Sequence, residues 1–511
     1  MHNSKRYAAA NMLTNLGVVA ITALIGLWLT SYLIGELSLE VYSIVPLAVS
    51  IGSYLGIATM LITRSSARYV AIHFNKGETE KSNTYFNSSF FGLVYMSLVL
   101  LVPAALISFG GVHLLNIPQG YREAASVLFL MVLVSVLISG IASSLAVSTF
   151  MTHRMYMANI AKIGSRVLQI LLLVGLFHYL GTRLAWVGLS YLCMALFVLI
   201  ANYLLTRRLT PELRLNPREC RLEETREVCG MGAWLLIDRV GTLLYLNTDL
   251  IIINLLLGPE ECGRYAPILQ WVMLLRVLTP ALSSILAPVA FEKIAQGKIA
   301  ELVELTTRAI RLMGLALAIP IGVIAGLSQP LMRVWLGEEF ESLSNLLMLM
   351  ILSQAFFLPL NPIYNITRGL NKVRFPALVT AAGGVLNIVL SILLVRFAGL
   401  GILGVGLATV ICFGGRTTLV ISRYTAAQLD LPQFALVRHL GPGVLLAALL
   451  SIGGVMTARA IGLHDYPGLL LAAIIMGVIG GALAFTLFMT SGERKLLLEL
   501  SRLSSLVRKS S

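Results

Sequence analysis

Apolar residues fall in long runs along this chain, and the runs define its elements before any single side chain does. Windows of about 20 apolar residues, the length a helix needs to cross hydrocarbon, follow one another fourteen times. They centre near Val19, Ser50, Leu98, Val134, Leu172, Met194, Tyr245, Arg276, Leu317, Ile351, Val389, Val410, Ala448 and Met476. The expected fold class is an all-α polytopic membrane protein with about 14 transmembrane helices. The first window follows the charged start M-H-N-S-K-R but has no small-residue cleavage site behind it, so it reads as a retained helix rather than a signal peptide. Polar stretches between windows are short, the two longest running from Thr63 to Thr84 and from Thr206 to Cys229.

The pattern repeats. Gly35 precedes Tyr42 by seven residues and Gly258 precedes Tyr265 by seven, at an offset of 223, and each tyrosine leads through an apolar segment to a polar stretch at Gly77 or Gly297. A second echo matches V-L-Q-I from Val167 and V-G-L from Val187 to V-L-N-I from Val385 and V-G-L from Val405, at an offset of 218. Two independent matches near one offset predict a tandem repeat. The expected organisation is a six-helix bundle over 1–206, a cytoplasmic linker over 207–230 and a second six-helix bundle over 231–423. Two extra helices within 439–490 and a basic amphipathic tail over 492–511 complete it.

Composition agrees with the windows: 57% of residues are hydrophobic and only 12% charged, against about 25% charged in soluble domains. Of the 38 Lys and Arg, 29 fall on the side of the two tails, six on the opposite side and three inside windows. Basic loops stay cytoplasmic, so both termini and the linker are expected there. This bias accounts for the net charge of +14 through contact with anionic lipid and requires no nucleic acid. In the tail, Leu496, Leu500, Leu503 and Val507 recur at helical spacing among basic residues, a pattern suited to the membrane interface. The five cysteines lack metal-ligand spacing, and neither a disulfide nor a zinc site is expected.

Ionisable residues inside the windows are the candidate chemistry, because a charge at that depth is costly and usually faces a bundle interior or a wet cavity. Asp238, Thr242, Tyr245 and Asp249 fall at i, i+4, i+7 and i+11, one face of the seventh helix, with Arg239 beside them. At the 223-residue offset the first half offers Asn15, Val19, Thr22 and Gly26, so the expected cavity carries its charges in the second half. Thr242, Tyr245, Asn15 and Thr22 are its expected lining. Arg239, Arg276 and Arg416 can then face it as substrate-binding groups, with Asp249 and Asp238 as coupling or ion-pair residues. Other readings stay open: Asp238 with Arg239 as a structural pair, Arg416 reaching inward to water along its own helix, Asp249 as the ion-pair partner of Arg276, or Asp249 as a protonatable or sodium-coordinating group. Three prolines expected within the eighth helix, Pro267, Pro280 and Pro288, suggest a helix that bends during a transport cycle. No nucleophile–base pair, HExxH or GxxxxGK[ST] motif is present, so neither enzyme chemistry, a metal nor a cofactor is expected.

The run from Asp249 through L-L-G-P-E-E-C-G-R-Y to P-V-A-F-E-K-I-A-Q-G-K, together with the paired halves, resembles the Wzx-type polysaccharide flippases. Their superfamily, the MOP superfamily, also holds the MATE exporters and the MurJ lipid II flippases. The resemblance implies two six-helix bundles around a central cavity that opens alternately to each side. It also implies a polyprenyl-pyrophosphate-linked oligosaccharide as cargo, moved to the outer leaflet of a bacterial inner membrane for surface polysaccharide biosynthesis. Membrane lipids, a polysaccharide polymerase and assembly proteins are the implied partners. The first helix, N-L-G-V-V-A-I-T-A-L-I-G-L-W-L-T, lacks the arginine and acid of the MurJ-like pattern, which disfavours a peptidoglycan precursor. The competing class is a cation-coupled MATE-like exporter of small amphipathic compounds, for which acids would matter more than arginines.

Overall fold

The computed structural model describes residues 2–220, 233–284 and 286–495. All fourteen window centres fall within helices. In chain order these are α1 (His2–Glu36), α2 (Ile44–Asn75), α3 (Thr79–Phe109), α4 (Arg122–Leu145), α5 (Met155–Leu180) and α6 (Leu184–Leu209). Next comes α7, in two pieces (Ala233–Leu246 and Thr248–Leu257), then α8 (Pro259–Ser284), α9 (Ile299–Gly326), α10 (Ser344–Phe357) and α11 (Arg374–Arg396). The last are α12 (Gly401–Gly414, continued by a π-helical segment Gly415–Ile421), α13 (Gly441–Ile461) and α14 (Tyr466–Leu483). The described residues contain no strand. Thirteen of these segments are long and apolar enough to cross a membrane by length and composition. The expected eighth span is α8, whose 26 residues reach about 39 Å at 1.5 Å per residue.

One expectation changes, and two lie beyond what is described. Pro288 lies outside α8, in the first turn of a separate helix Ala287–Ala295, where a missing N–H costs nothing. The linker from 221 onward and the tail residues Leu496, Leu500, Leu503 and Val507 lie outside the described residues.

The repeat shows in the backbone as well as in the letters. Lys76 (φ −82, ψ −4), Gly77 (φ 76) and Glu78 (φ −84, ψ 66) lead into α3. Gln296 (φ −82, ψ −3), Gly297 (φ 68) and Lys298 (φ −83, ψ 66) lead into α9 with almost the same dihedrals. Glycine is needed at the middle position because an L side chain rarely adopts that left-handed conformation.

The helices group into two compact units. The first is built on Met1–Gln270 and Val373–Cys412, the second on Trp271–Lys372 and Phe413–Ser511. Within the first, α7 crosses α11 at backbone contact. A Cβ on Gly241 would stand 2.6 Å from the Ala381 nitrogen, and one on Gly384 would stand 2.7 Å from Leu244 Cβ. Small residues at such crossings are what let membrane helices pack without a hydrophobic drive between them. Within the second unit, α13 lies on α9 in the same way, Gly443 against Gly314 and Gly454 against Gly326.

Candidate functional site

The close α7–α11 crossing sets the surroundings of Asp249. Helix α7 breaks at Asn247 and restarts at Thr248, so Asp249 occupies the first turn of the second piece. There the unsatisfied N–H groups and the helix dipole favour a negative charge. The side chain is fully buried. Its Oδ2 accepts hydrogen bonds from Tyr265 Oη on α8 at 3.0 Å and from Thr409 Oγ1 on α12 at 2.9 Å. Its Oδ1 accepts from Asn387 Nδ2 on α11 at 3.4 Å. Asn387 follows Gly384 by one helical turn, so the glycine contact carries the amide to the carboxylate. Four helices of one unit thus converge on one acid. Nearby, Tyr54 of α2 meets Thr248, hydroxyl to hydroxyl, at 2.5 Å.

The second unit holds the arginines. The Arg276 guanidinium on α8 lies 4.1 Å from the centroid of the Phe413 ring and 5.9 Å from that of Phe357. Arg416, two helical positions into the Gly-Gly π-helical stretch of α12, places its own guanidinium 4.2 Å from the same Phe413 centroid. π-helical insertions of this kind recur at functional sites because the extra residue re-aims the side chains around it. Phe357 and Phe413 contact each other with centroids 5.0 Å apart. Arg416 Nη2 donates to Tyr364 Oη at 3.2 Å and to Thr417 Oγ1 at 3.3 Å. Two cations sharing one ring stand within roughly 8 Å of each other, where their repulsion is about 2 kcal/mol at an effective dielectric of 20. Each cation–π contact returns about 1 kcal/mol. An anion between or beside them would remove the repulsion and gain charge-assisted hydrogen bonds.

The remaining expected residues distribute as follows. Arg239 is exposed and belongs to the first unit, and within the second unit Arg276 and Arg416 share the Phe413 ring. Arg416 is only 7% exposed, which excludes the reading in which it reaches out to water. Asp238 is half-buried, and its carbonyl accepts from Thr242 Oγ1 at 2.9 Å. Neighbours in sequence diverge by about 100° around a helix, so adjacency alone does not pair Asp238 with Arg239. Asn15 is exposed, and Thr22 and Thr242 are half-buried. Tyr245, expected to line a cavity, is fully buried and presents no surface to one, because the first piece of α7 turns that position into the bundle. Asp249 and Arg276 belong to different units.

Sequence reasoning missed Tyr265, Asn387, Thr409, Phe413, Phe357 and Tyr364 as site residues. Two had a signal: Tyr265 and Asn387 are letters of the two repeat echoes. It also missed a clasp in the first unit. The Asn116 backbone N–H donates to Asn254 Oδ1 at 2.9 Å, Asn116 Nδ2 donates to the Asn254 carbonyl at 2.7 Å, and Asn254 Nδ2 donates back to the Asn116 carbonyl at 3.0 Å. This ties the α3–α4 connection to the end of α7.

Comparison with known proteins agrees with this architecture. The model of a family described as polysaccharide biosynthesis protein matches residues 8–293, and the MatE family model matches residues 236–393. The uncharacterized membrane protein EpsK of Bacillus subtilis (strain 168) is 26% identical over 499 residues, 96% of this chain and 97% of its own. An inward-facing multidrug resistance MATE family transporter of the MOP superfamily covers 82% of this chain and 98% of its own, with a TM-score of 0.62 at 13% identity. The lipid II flippase MurJ in an inward closed conformation covers 94% of this chain and 98% of its own, with a TM-score of 0.59 at 13% identity. At that identity the likeness is one of fold.

Proposed function

This chain belongs to the family of polysaccharide biosynthesis proteins, and from that premise we propose that it flips a polyprenyl-pyrophosphate-linked oligosaccharide from the cytoplasmic to the outer leaflet. At the coarser level it is a multi-pass membrane protein of the MOP superfamily of transporters and flippases. The observation that carries the finer reading is the pair of guanidinium groups, Arg276 and Arg416, on one phenyl ring inside the membrane-spanning part of the chain. A diphosphate offers several oxygens to two planar forks of donors, which matches its charge and its geometry. The polyprenyl tail stays in lipid and the glycan follows the headgroup. Arg239 is a further substrate-binding candidate on the first unit, with Asp238 as a coupling or ion-pair residue beside it in the chain.

Asp249 supplies the coupling. Tyr265, Thr409 and Asn387 donate to its carboxylate, so a proton or a cation that displaces one of them changes how α7, α8, α11 and α12 are tied together. The Asn116–Asn254 clasp closes one end of the first unit, and its opening is the expected release step. The protein resides in the bacterial inner membrane with both termini cytoplasmic, and hands its cargo to a polymerase and assembly proteins for surface polysaccharide biosynthesis. One observation favours the second reading, a cation-coupled exporter of amphipathic compounds: the MatE match includes Asp249 and Asn387.

Outer-leaflet exposure of lipid-linked oligosaccharide in proteoliposomes separates the two. Arg276→Lys keeps the charge but loses the fork, and a fall in flipping of about tenfold or more is expected. Arg276→Ala is expected to abolish flipping in a folded, inserted protein. Flipping at the wild-type rate by Arg276→Ala would remove the headgroup role and leave Arg276 a structural residue, whereas absence of flipping by the wild-type protein would leave the exporter reading.

A further inference from the structure

A cavity of about 340 Å³ lies in the first unit, among three turns at the end of the unit where α1 finishes and α4 begins. Its walls come from the end of α1 (Glu36, Ser38), the start of α4 (Tyr121) and the α5–α6 connection (Thr182, Arg183), with Val41 among the apolar residues that complete it. The volume lies at the small end of the range for small-molecule sites. On the orientation expected from the positive-inside bias this mouth faces outside the cell, and it belongs to a different unit from the Arg276–Arg416 pair.

The donor and acceptor inventory narrows the ligand. A carboxylate only accepts and a guanidinium only donates, so a group facing both Glu36 and Arg183 must offer donors and acceptors side by side. Adjacent hydroxyls do this. A phosphate is repelled by Glu36 and a metal cation by Arg183, and the two charges cancel toward a neutral guest. The hydroxyls of Ser38, Thr182 and Tyr121 can each donate and accept, and Tyr121 is 43% exposed. Val41 and its apolar neighbours offer the wall against which the C–H face of a pyranose packs. The same face of α1 continues below Glu36 as an aromatic ladder, one helical turn per step. Tyr32 stacks on Trp28 at 5.0 Å and on Phe177 at 6.0 Å, and Trp28 is 44% exposed.

We propose that this cavity binds one or two rings of a neutral saccharide at the outer face of the protein. It would act as an exit subsite that holds the leading sugars of the glycan after the headgroup has crossed. The subsite role rests on the glycan-flipping reading; the ligand class rests on the lining.

The test is saturation-transfer NMR on the full-length protein in nanodiscs, with N,N′-diacetylchitobiose and lactose as saccharide probes and farnesyl pyrophosphate as the headgroup probe. At least one disaccharide is expected to bind. Glu36→Gln and Arg183→Ala are each expected to weaken it by about tenfold, the loss of one charge-assisted hydrogen bond. Thr182→Trp, which fills the cavity and removes no charge, is expected to abolish it, while Arg276→Lys leaves it unchanged. Both charged residues are exposed, so a retained melting transition shows that the variants fold. Absence of disaccharide binding in the wild-type protein, or equal binding in all three cavity variants, would overturn the proposal. If farnesyl pyrophosphate binds while the disaccharides do not, this proposal fails alone. If the disaccharides bind and farnesyl pyrophosphate does not, the headgroup reading fails and the saccharide site stands.

Discussion

Asp249 and the Arg276–Arg416 pair are both ionisable groups set among apolar helices, and they are held by opposite means. The carboxylate sits at a helix restart and takes hydrogen bonds from Tyr265, Thr409 and Asn387, so donors from three other helices replace the water it has lost. The guanidiniums share the π face of Phe413, and the hydroxyls of Tyr364 and Thr417 serve Arg416. The first arrangement ties one acid to donors on three other helices and reads as a latch between them. The second gathers two guanidiniums on one ring, a geometry that suits an anion with several oxygens. A transporter needs both kinds of site, one that couples helices to each other and one whose energy changes when cargo enters.

The contrast can be broken from the Asp249 side first. Asp249→Ala removes the acceptor and leaves Tyr265, Thr409 and Asn387 as buried donors without it, at an expected cost of about 3 kcal/mol. Thermal unfolding in detergent would show a large drop in the transition temperature. An unchanged transition would mean that the latch does not hold the helices.

Phe413→Leu probes the other side. It removes the ring that both guanidiniums share, leaving Arg276 its more distant contact with Phe357, at an expected cost of about 1–2 kcal/mol. The variant is expected to melt lower than wild type and to recover most of the difference on adding farnesyl pyrophosphate, because the anion relieves the repulsion the ring had offset. Recovery with sodium chloride alone, at matched ionic strength, would count against a specific headgroup contact.

Thr409→Val is the mildest change. It deletes one donor to Asp249 while keeping shape and leaves two others, so about 1 kcal/mol is expected. Flipping should become less dependent on the ion gradient rather than slower at saturation. A uniform loss of rate with unchanged gradient dependence would assign Thr409 to packing.

Much of the fold was legible because a membrane imposes one length on every span, and twenty apolar residues cannot hide in a sequence. The repeat was legible at Gly77 and Gly297 because a left-handed turn demands glycine. Asp249, Arg276 and Arg416 stood out as charges among hydrocarbon. Their partners did not. Asn387 and Thr409 lie 138 and 160 residues from Asp249, and no local pattern announces a contact of that range. Phe413 and Phe357 read as ordinary apolar residues of their spans, since a ring that holds a cation has the same letter as one that meets lipid. The restart at Thr248 was hidden too: Asn247 breaks a helix only weakly, so the even spacing of Asp238, Thr242, Tyr245 and Asp249 suggested one continuous face. The outer cavity is made of three short turns that each look like plain connections.

The most direct measurement is equilibrium binding of farnesyl pyrophosphate to the purified full-length protein, with wild type compared to Arg276→Ala/Arg416→Ala across a salt series. Wild-type binding is expected to weaken only modestly as salt rises, since charge contacts at buried groups are screened much less than exposed ones. The double variant is expected to bind at least about a hundredfold more weakly, at roughly 1.4 kcal/mol per tenfold for each lost fork. Equal affinity in the two proteins, with both folded, would contradict the assignment of Arg276 and Arg416 as the headgroup site.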